Sequence, residues 1–420
     1  MSDYPFLQIH TLTSYPASLL NRDDVGFAKR IPFGGAARVR VSSQCLKRHW
    51  RQAEGPHALS NIDLGDGPVA MSVRSRVTFQ RLVRDRMVVE GIDQAVAVAA
   101  TEEVMKLVLG ESAKAKEKKK KSKAAEVEET DESCRTSQIT VLGRPEVDFL
   151  FAEAMAVALA VAEMDGKDLT KQVQAAAKTH FDRERQKNLK GLRMGAGLDA
   201  ALFGRMVTSD MLARTDAAIH VAHAFTVHEE YTESDFFSAV DDLERERDDS
   251  AMGSGHIGSA ELTTGLYYGY VAIDLPLLIS NLEGVERKDW AKHRGPLAGE
   301  VIRRLIRLVA TVSPGAKLGS TAPHSYAQFV LAERGAEQPR SLANAFLKPV
   351  RPDREGDIVK ATYGALGHHL ADLDQMFGTG PERRFAAMGP IQALAPALAE
   401  EHRGSLDDVA SWTASAAVEG

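Results

Sequence analysis

Two regions of strand character flank a long helical stretch in this chain, and that order most constrains what it can fold into. Residues 6–14 (FLQIHTLTS) are rich in β-branched and aromatic types, and 38–42 (RVRVS) alternates charge with valine at period two. Residues 84–110 and 146–190 are instead heavy in alanine, leucine and charge, and read as the helices of one subdomain. After Asp216 the alternation returns in AAIHVAHAFTVHE, resumes at 257–273 (IGSAELTTGLYYGYVAI), and gives way to an amphipathic helix at 297–312. A strand in SYAQFVLAE and helices near 357–377 and 405–417 follow. Strands and helices therefore mix without the strict alternation of a doubly wound sheet, and the class is α+β. The chain has 420 residues, 44% of them hydrophobic, so its core is sizeable and two or more structural units are expected.

Between the first two strands lies PASLLNRDDVGFAKRIPFGGAA, a polar loop with a turn at Gly34-Gly35. Ser42 and Ser43 are both good N-caps for a helix over SSQCLKRHWRQA. The helical stretch is interrupted at 111–137, where an unbroken run from Lys118 to Lys121 precedes an acidic cluster from Glu126 to Glu132. Low hydrophobicity and blocked charge predict a mobile surface loop there. The 52 basic and 58 acidic side chains give a formal charge of −6, so any nucleic-acid site must be local rather than a property of the whole surface. Cys45 and Cys134 are the two cysteines, without the spacing of a disulfide framework or a zinc site. That usage fits a reducing cytoplasm. No apolar run approaches the ~20 residues that span a bilayer.

The segment Arg38–Arg51 is the most informative local feature. Strand alternation places Arg38, Arg40 and Ser42 on one face and Val39 and Val41 on the other, so the valines can pack while the arginines stay free. The helix that follows offers unpaired N–H groups at Ser43 and Gln44, and sets Lys47 and Arg51 one turn apart, with Arg48 beside them. This pattern suits phosphate, and equally a solvated basic strand and helix. Gly253–Gly258 matches GxGxxG, yet charge precedes it and β-like residues follow, so it reads as a glycine loop at the root of a hairpin rather than a dinucleotide site. His220 and His228 fall on one face of a strand and His223 on the other, which disfavours a three-histidine metal site. Phe236 and Phe237 stand in a polar, acidic stretch at 229–256, as a wedge for bases or as a small satellite core. No Walker A loop, HExxH or GxSxG occurs, and no cofactor or metal is implied.

Seven islands in order are SLLNRDD (18–24), FGGAARVRVSSQCLKR (33–48), GRMVTSDM (204–211), DAAIHVAHAFTVH (216–228), FFSAVDDL (236–243), PGAK (314–317) and SLANAF (341–346). With these the chain resembles the CasC family, the backbone subunit of type I-E CRISPR Cascade complexes, over nearly its whole length. The resemblance implies a ferredoxin-like, RNA-recognition-type palm at 1–58, 206–228 and 259–420. It also implies helical fingers at 59–205 and a β-hairpin thumb at 229–258. It implies a non-catalytic protein that polymerises along guide RNA and holds it for pairing with target DNA, beside other Cascade subunits and a separate effector nuclease. RNA contacts are expected, by match of position, at Arg22, Lys29, Arg40, Ser42, Gln44, Lys47, Arg51 and Lys317. Arg38, Ser43 and Arg48 join them from the reading of the basic segment. Phe236, Phe237 and Val240, with Met206, are expected to displace bases at intervals.

Three departures qualify the match. Ala36 and Ala37 stand where related chains can carry basic residues, Phe236 where a tryptophan can occur, and the lysine-rich loop at 113–123 looks like an insertion. The alternative is an RNA-guided, metal-dependent RNase using a loop aspartate, Asp23 or Asp24, as in related type III backbone subunits.

Overall fold

The computed structural model describes residues 4–65, 67–109, 133–162, 168–180, 182–190, 195–205, 212, 214–240, 254–378 and 380–418. The expected lysine-rich loop (through residue 132) and Met206 lie outside them. The chain divides into two compact units, one of Met1–Ile62, Ile219–Leu275 and Arg294–Gly420, the other of Asp63–Ala218 and Pro276–His293.

The first unit is a mixed α+β body around one antiparallel sheet. Its strands are β1 (Phe6–Ser18), β2 (Arg30–Phe33), β3 (Ala36–Val41), β4 (Ile219–Val221), β5 (Ala224–Thr226), β6 (Tyr231–Val240), β7 (Ser254–Asp274), β8 (Phe329–Gly335) and β9 (Glu382–Ala387). The order across the sheet is β9-β8-β1-β7-β5-β3-β2, and β4 and β6 also pair with β7. Its helices include α1 (Ser43–Gln52), α2 (Pro296–Thr311), the short α3 (Leu318–Thr321), α4 (Ile358–Phe377) and α5 (Leu406–Ser415).

β1 is central, flanked by β8 and β7, and every residue from Leu7 to Thr13 is buried. Both faces of the sheet are therefore covered, which is why FLQIHTL lacks clean polar alternation. On one face Leu12, Tyr268, Phe329, Leu331 and Phe385 pack with Tyr363, Leu366 and Leu370 of α4 and with Phe346. Each such side chain contributes about 1.5–3 kcal/mol through burial. On the other face Tyr15, Leu19, Leu20, Val39, Val41, Ala224 and Tyr267 pack, with Leu46 of α1 against them.

β2 and β3 join through Gly34 and Gly35, at φ of 61° and 80°, a type I′ turn that suits the twist of a hairpin. Gly34 is required twice over, because a Cβ there would lie 1.4 Å from the Leu347 carbonyl oxygen.

Two readings are corrected here. From Ser254 to Gly258 the glycine run is strand rather than loop: these residues begin β7, a strand of 21 residues paired with β6, and Gly253 lies outside the described residues. The histidine segment is not one strand either, since β4 ends at Val221 and β5 begins at Ala224. His220 and His223 are exposed, whereas His228 is buried, accepting the Leu266 N–H at Nε2 (3.1 Å) and donating from Nδ1 to the Glu229 carbonyl (2.6 Å).

The second unit is mostly helical. The helices Gln94–Leu109, Arg144–Ala162 and Leu169–His180 pack on one another through buried alanines, among them Ala97, Ala100, Ala154, Ala158 and Ala177. These short side chains let the backbones approach closely. A two-stranded ribbon (Ser72–Ser75 with Thr140–Gly143) and a buried Arg205–Glu146 ion pair, at 2.5 Å, complete it. No helix among the described residues is long and apolar enough to cross a membrane.

Candidate nucleic-acid interface

Four residues, Leu19 to Arg22, tie together the chain segments that carry Arg22, Lys29, Arg40 and Lys317. The Leu19 carbonyl accepts the Ala316 N–H (2.9 Å), which fixes Lys317 at the start of α3. The Leu20 carbonyl lies 3.9 Å from the Cys45 thiol on α1. The Asn21 carbonyl accepts from Lys29 N–H (3.0 Å), and its side-chain oxygen accepts from Ser42 N–H (2.9 Å). Arg22 pairs with Ala28 in an isolated antiparallel bridge. Loop, strand, helix and the α3 turn are thereby held at one place, with Arg22, Lys29, Arg40 and Lys317 on separate pieces of chain around it.

The loop between Arg22 and Lys29 closes on Asp23. Its Oδ1 accepts from the N–H groups of Val25 (3.1 Å), Gly26 (2.8 Å) and Phe27 (2.9 Å), and Gly26 takes φ of 102°. Asp23 is thus committed to shaping the turn that presents Lys29.

Ser42 caps α1: its backbone is extended and its hydroxyl accepts from Cys45 N–H (3.3 Å). Only 7% of the residue is exposed, so its contribution is to orient the helix start. Ser43 is half-buried and donates to Gln44 Oε1 (3.4 Å), while Gln44 itself is exposed. No acid stands in the first turn to compete for the N-terminal N–H groups. Trp50 is buried under the helix, and Gln44, Lys47, Arg48 and Arg51 recur on the side away from Leu46 and Trp50. Arg48 is exposed and donates to Gln52 Oε1 (3.0 Å).

Arg40 is half-buried, donates from Nε to the Arg30 carbonyl (3.2 Å), and places Nη1 3.1 Å from His223 Nδ1. Arg38 does not stay free as the alternation suggested. It is 0% exposed, donates to the carbonyls of Thr226 (2.9 Å) and Phe346 (3.0 Å), and its guanidinium lies 5.9 Å from the Phe33 ring centroid. Burial pushes its pKa down, against the opposing pull of Glu229. The face that period two assigned to solvent is covered by residues distant in sequence, so Arg38 is part of the core.

From this base the β6–β7 hairpin rises. The pairing runs from Tyr231↔Thr264 to Val240↔Ser254, and residues 241–253 lie outside the described part. Phe236 and Phe237 stand on opposite faces, 67% and 41% exposed. Phe237 lies over Gly258 of the partner strand, where a Cβ would sit 2.5 Å from Cζ. Lys317 Nζ is 5.8 Å from the same ring's centroid, linking hairpin and basic turn. Arg30 pairs with Glu230 and Glu261 at the hairpin's foot, and Ala28 N–H donates to Glu261 (2.6 Å).

The family model described as CT1975-like protein matches residues 7–412. The chain belongs to this family, the CasC backbone subunits of Cascade. CasC proteins form the non-catalytic backbone of the complex. One solved structure that this CasC chain resembles is a chain of a "CRISPR RNA-guided surveillance complex, pre-nicking". That chain is 27% identical with a TM-score of 0.71, and the match covers 98% of this chain and 100% of that one. A chain of another "CRISPR RNA-guided surveillance complex", 23% identical over the same shares, has a TM-score of 0.63 and shares the fold. No curated protein matches.

Asn21 was not among the residues picked out from the sequence, and His223 was weighed there only as a metal ligand. Asn21 carries no charge, and only its place in SLLNRDD, beside Arg22, could have pointed to it. His223 is brought to Arg40 by the β3–β5 pairing, which a single sequence does not display.

Proposed function

We propose that the turn organised by Leu19–Arg22 is where this backbone subunit of a type I-E Cascade holds the phosphates of its guide RNA. Arg22, Lys29, Arg40, Lys47, Arg48, Arg51 and Lys317 supply charge, and Ser43 and Gln44 supply donors at the start of α1. The observation that carries the reading is the convergence on Asn21, which ties the Lys29 loop to the cap of α1 through 3.0 and 2.9 Å hydrogen bonds. Phosphate contacts carry no base information, which suits a protein that must accept any spacer.

On this reading the first unit is an RNA-recognition-type palm, the helical unit the fingers, and the β6–β7 hairpin the thumb. Copies stack head to tail along the RNA, a heterologous contact that grows rather than closes. The flat exposed rings of Phe236 and Phe237, with Val240 and Met206, displace a base at each copy, because every base offers a stacking face. Specificity then comes from guide pairing with target DNA, and other subunits and an effector nuclease act on the result.

The test is to purify the chain with the products of its neighbouring genes and to sequence the bound RNA. Uniform repeat–spacer RNAs are expected. Heterogeneous RNA, or none from a fully assembled preparation, overturns the reading.

A further inference from the structure

His223 sits in the two-residue break between β4 and β5, beside the strand-to-helix turn rather than within a strand. Its position is fixed on both sides: Ala222 N–H donates to the Tyr270 carbonyl (3.0 Å), and Ala224 pairs with Val41. The ring is exposed, and its Nδ1 lies 3.1 Å from Arg40 Nη1.

A guanidinium has only donors, so Nδ1 must accept and carry a lone pair. The proton of the neutral ring is then on Nε2, which has no partner among the described residues. Burial, then Arg40 and Lys29, lower the pKa of His223, in keeping with a neutral ring between two cations. A charged imidazolium would put a third positive group there and would face Arg40 donor to donor.

We propose that His223 is a further guide-binding residue: its neutral ring orients Arg40 through Nδ1 and offers Nε2–H to a phosphate or ribose oxygen of the RNA. The inference rests on the RNA reading of the basic turn and deepens it. A break between two strands, otherwise a cost to the sheet, would here serve to aim one side chain at the ligand. Arg40 would gain a fixed orientation, since Nε is held by the Arg30 carbonyl and Nη1 by the imidazole, leaving the guanidinium's remaining donors for phosphate.

The experiment measures binding of a fluorescently labelled single-stranded RNA to the full chain across a salt series. A neutral hydrogen bond corresponds to about threefold to tenfold in affinity. His223→Ala should weaken binding by about that factor and leave the salt slope unchanged, because no cation is removed. Arg40→Ala should weaken binding and lower the slope by about 0.7. The double variant should fall short of the product of the two single effects, because His223 acts partly through Arg40. His223→Gln, whose amide can both accept from Arg40 and donate to RNA, should recover most of the loss.

Unchanged affinity in His223→Ala, alongside clear losses in Lys29→Ala and Arg40→Ala, overturns this inference alone. Strictly additive effects overturn the orienting role, and a lowered salt slope in His223→Ala overturns the neutral ring. No change in any of these variants overturns the RNA reading itself.

Discussion

Arg38 and Arg40 differ by two positions in one strand, and their environments assign them opposite roles. Arg38 spends its guanidinium on two carbonyls inside the sheet face, whereas Arg40 reaches the exposed His223. Arg38→Met keeps the length of the side chain but leaves the Thr226 and Phe346 carbonyls without this donor. Its expected cost is about 2–4 kcal/mol of stability, the range for breaking buried hydrogen bonds to a charged group. Denaturant unfolding reads it directly. In the folded fraction, the salt dependence of RNA binding should be that of the natural chain. A lowered slope with unchanged stability would return Arg38 to the RNA surface. The alternation of RVRVS correctly buried Val39 and Val41, but period two describes one strand alone. What holds Arg38 inside comes from Phe33 nearby and from Thr226 and Phe346 far along the chain, and no local pattern announces the distant partners.

At the scale of elements, the β6–β7 hairpin combines a legible part with one that was misread. Its outline was readable as a polar interruption between two runs of alternation, and paired strands occupy that place. The glycines were read as breakers, the usual meaning of such a run, whereas Gly258 is part of a strand and makes room for an aromatic ring across it. Pairing across strands is invisible until register is known, so Phe237 and Gly258 could not be matched from the sequence. Gly258→Ala puts a methyl 2.5 Å from Phe237 Cζ, and the ring, being the mobile partner, must swing away from the strand and from Lys317. The hairpin should stay paired, because the backbone of Gly258 needs no left-handed conformation. Chemical probing of the guide should then show the regular base reactivity blurred, with RNA affinity reduced less than about threefold, since the phosphate contacts remain. The same sharp periodicity as in the natural chain would count against Phe237 as a base-displacing residue.

Over the whole molecule, charge is the property that composition most nearly hides. With 58 acidic against 52 basic side chains, the chain as a whole offers an approaching polyanion no favourable net charge. Affinity for RNA must therefore come from short-range cations gathered by the fold, the role proposed above for the Leu19–Arg22 hub. The α+β class was legible because the order of alternating and helical runs records it. The hub was not, because it joins segments near residues 20, 29 and 316 through backbone groups that every residue possesses, and adds residue 42 through one uncharged amide, that of Asn21. A site of this kind should depend steeply on salt despite the acidic composition, and each cation should account for its own share. Lys47 and Arg51 lie on α1 away from the half-buried Leu46 and the buried Trp50, so Lys47→Ala with Arg51→Ala should leave thermal stability within about 0.5 kcal/mol. Removing two phosphate contacts to a single strand should flatten log affinity against log salt by about 1.4, and should do so for every RNA sequence alike. Loss of affinity for some sequences only would mean that α1 reads bases. An unchanged slope would place the phosphate path on Arg22, Lys29, Arg40 and Lys317 alone, on the loop side of the hub.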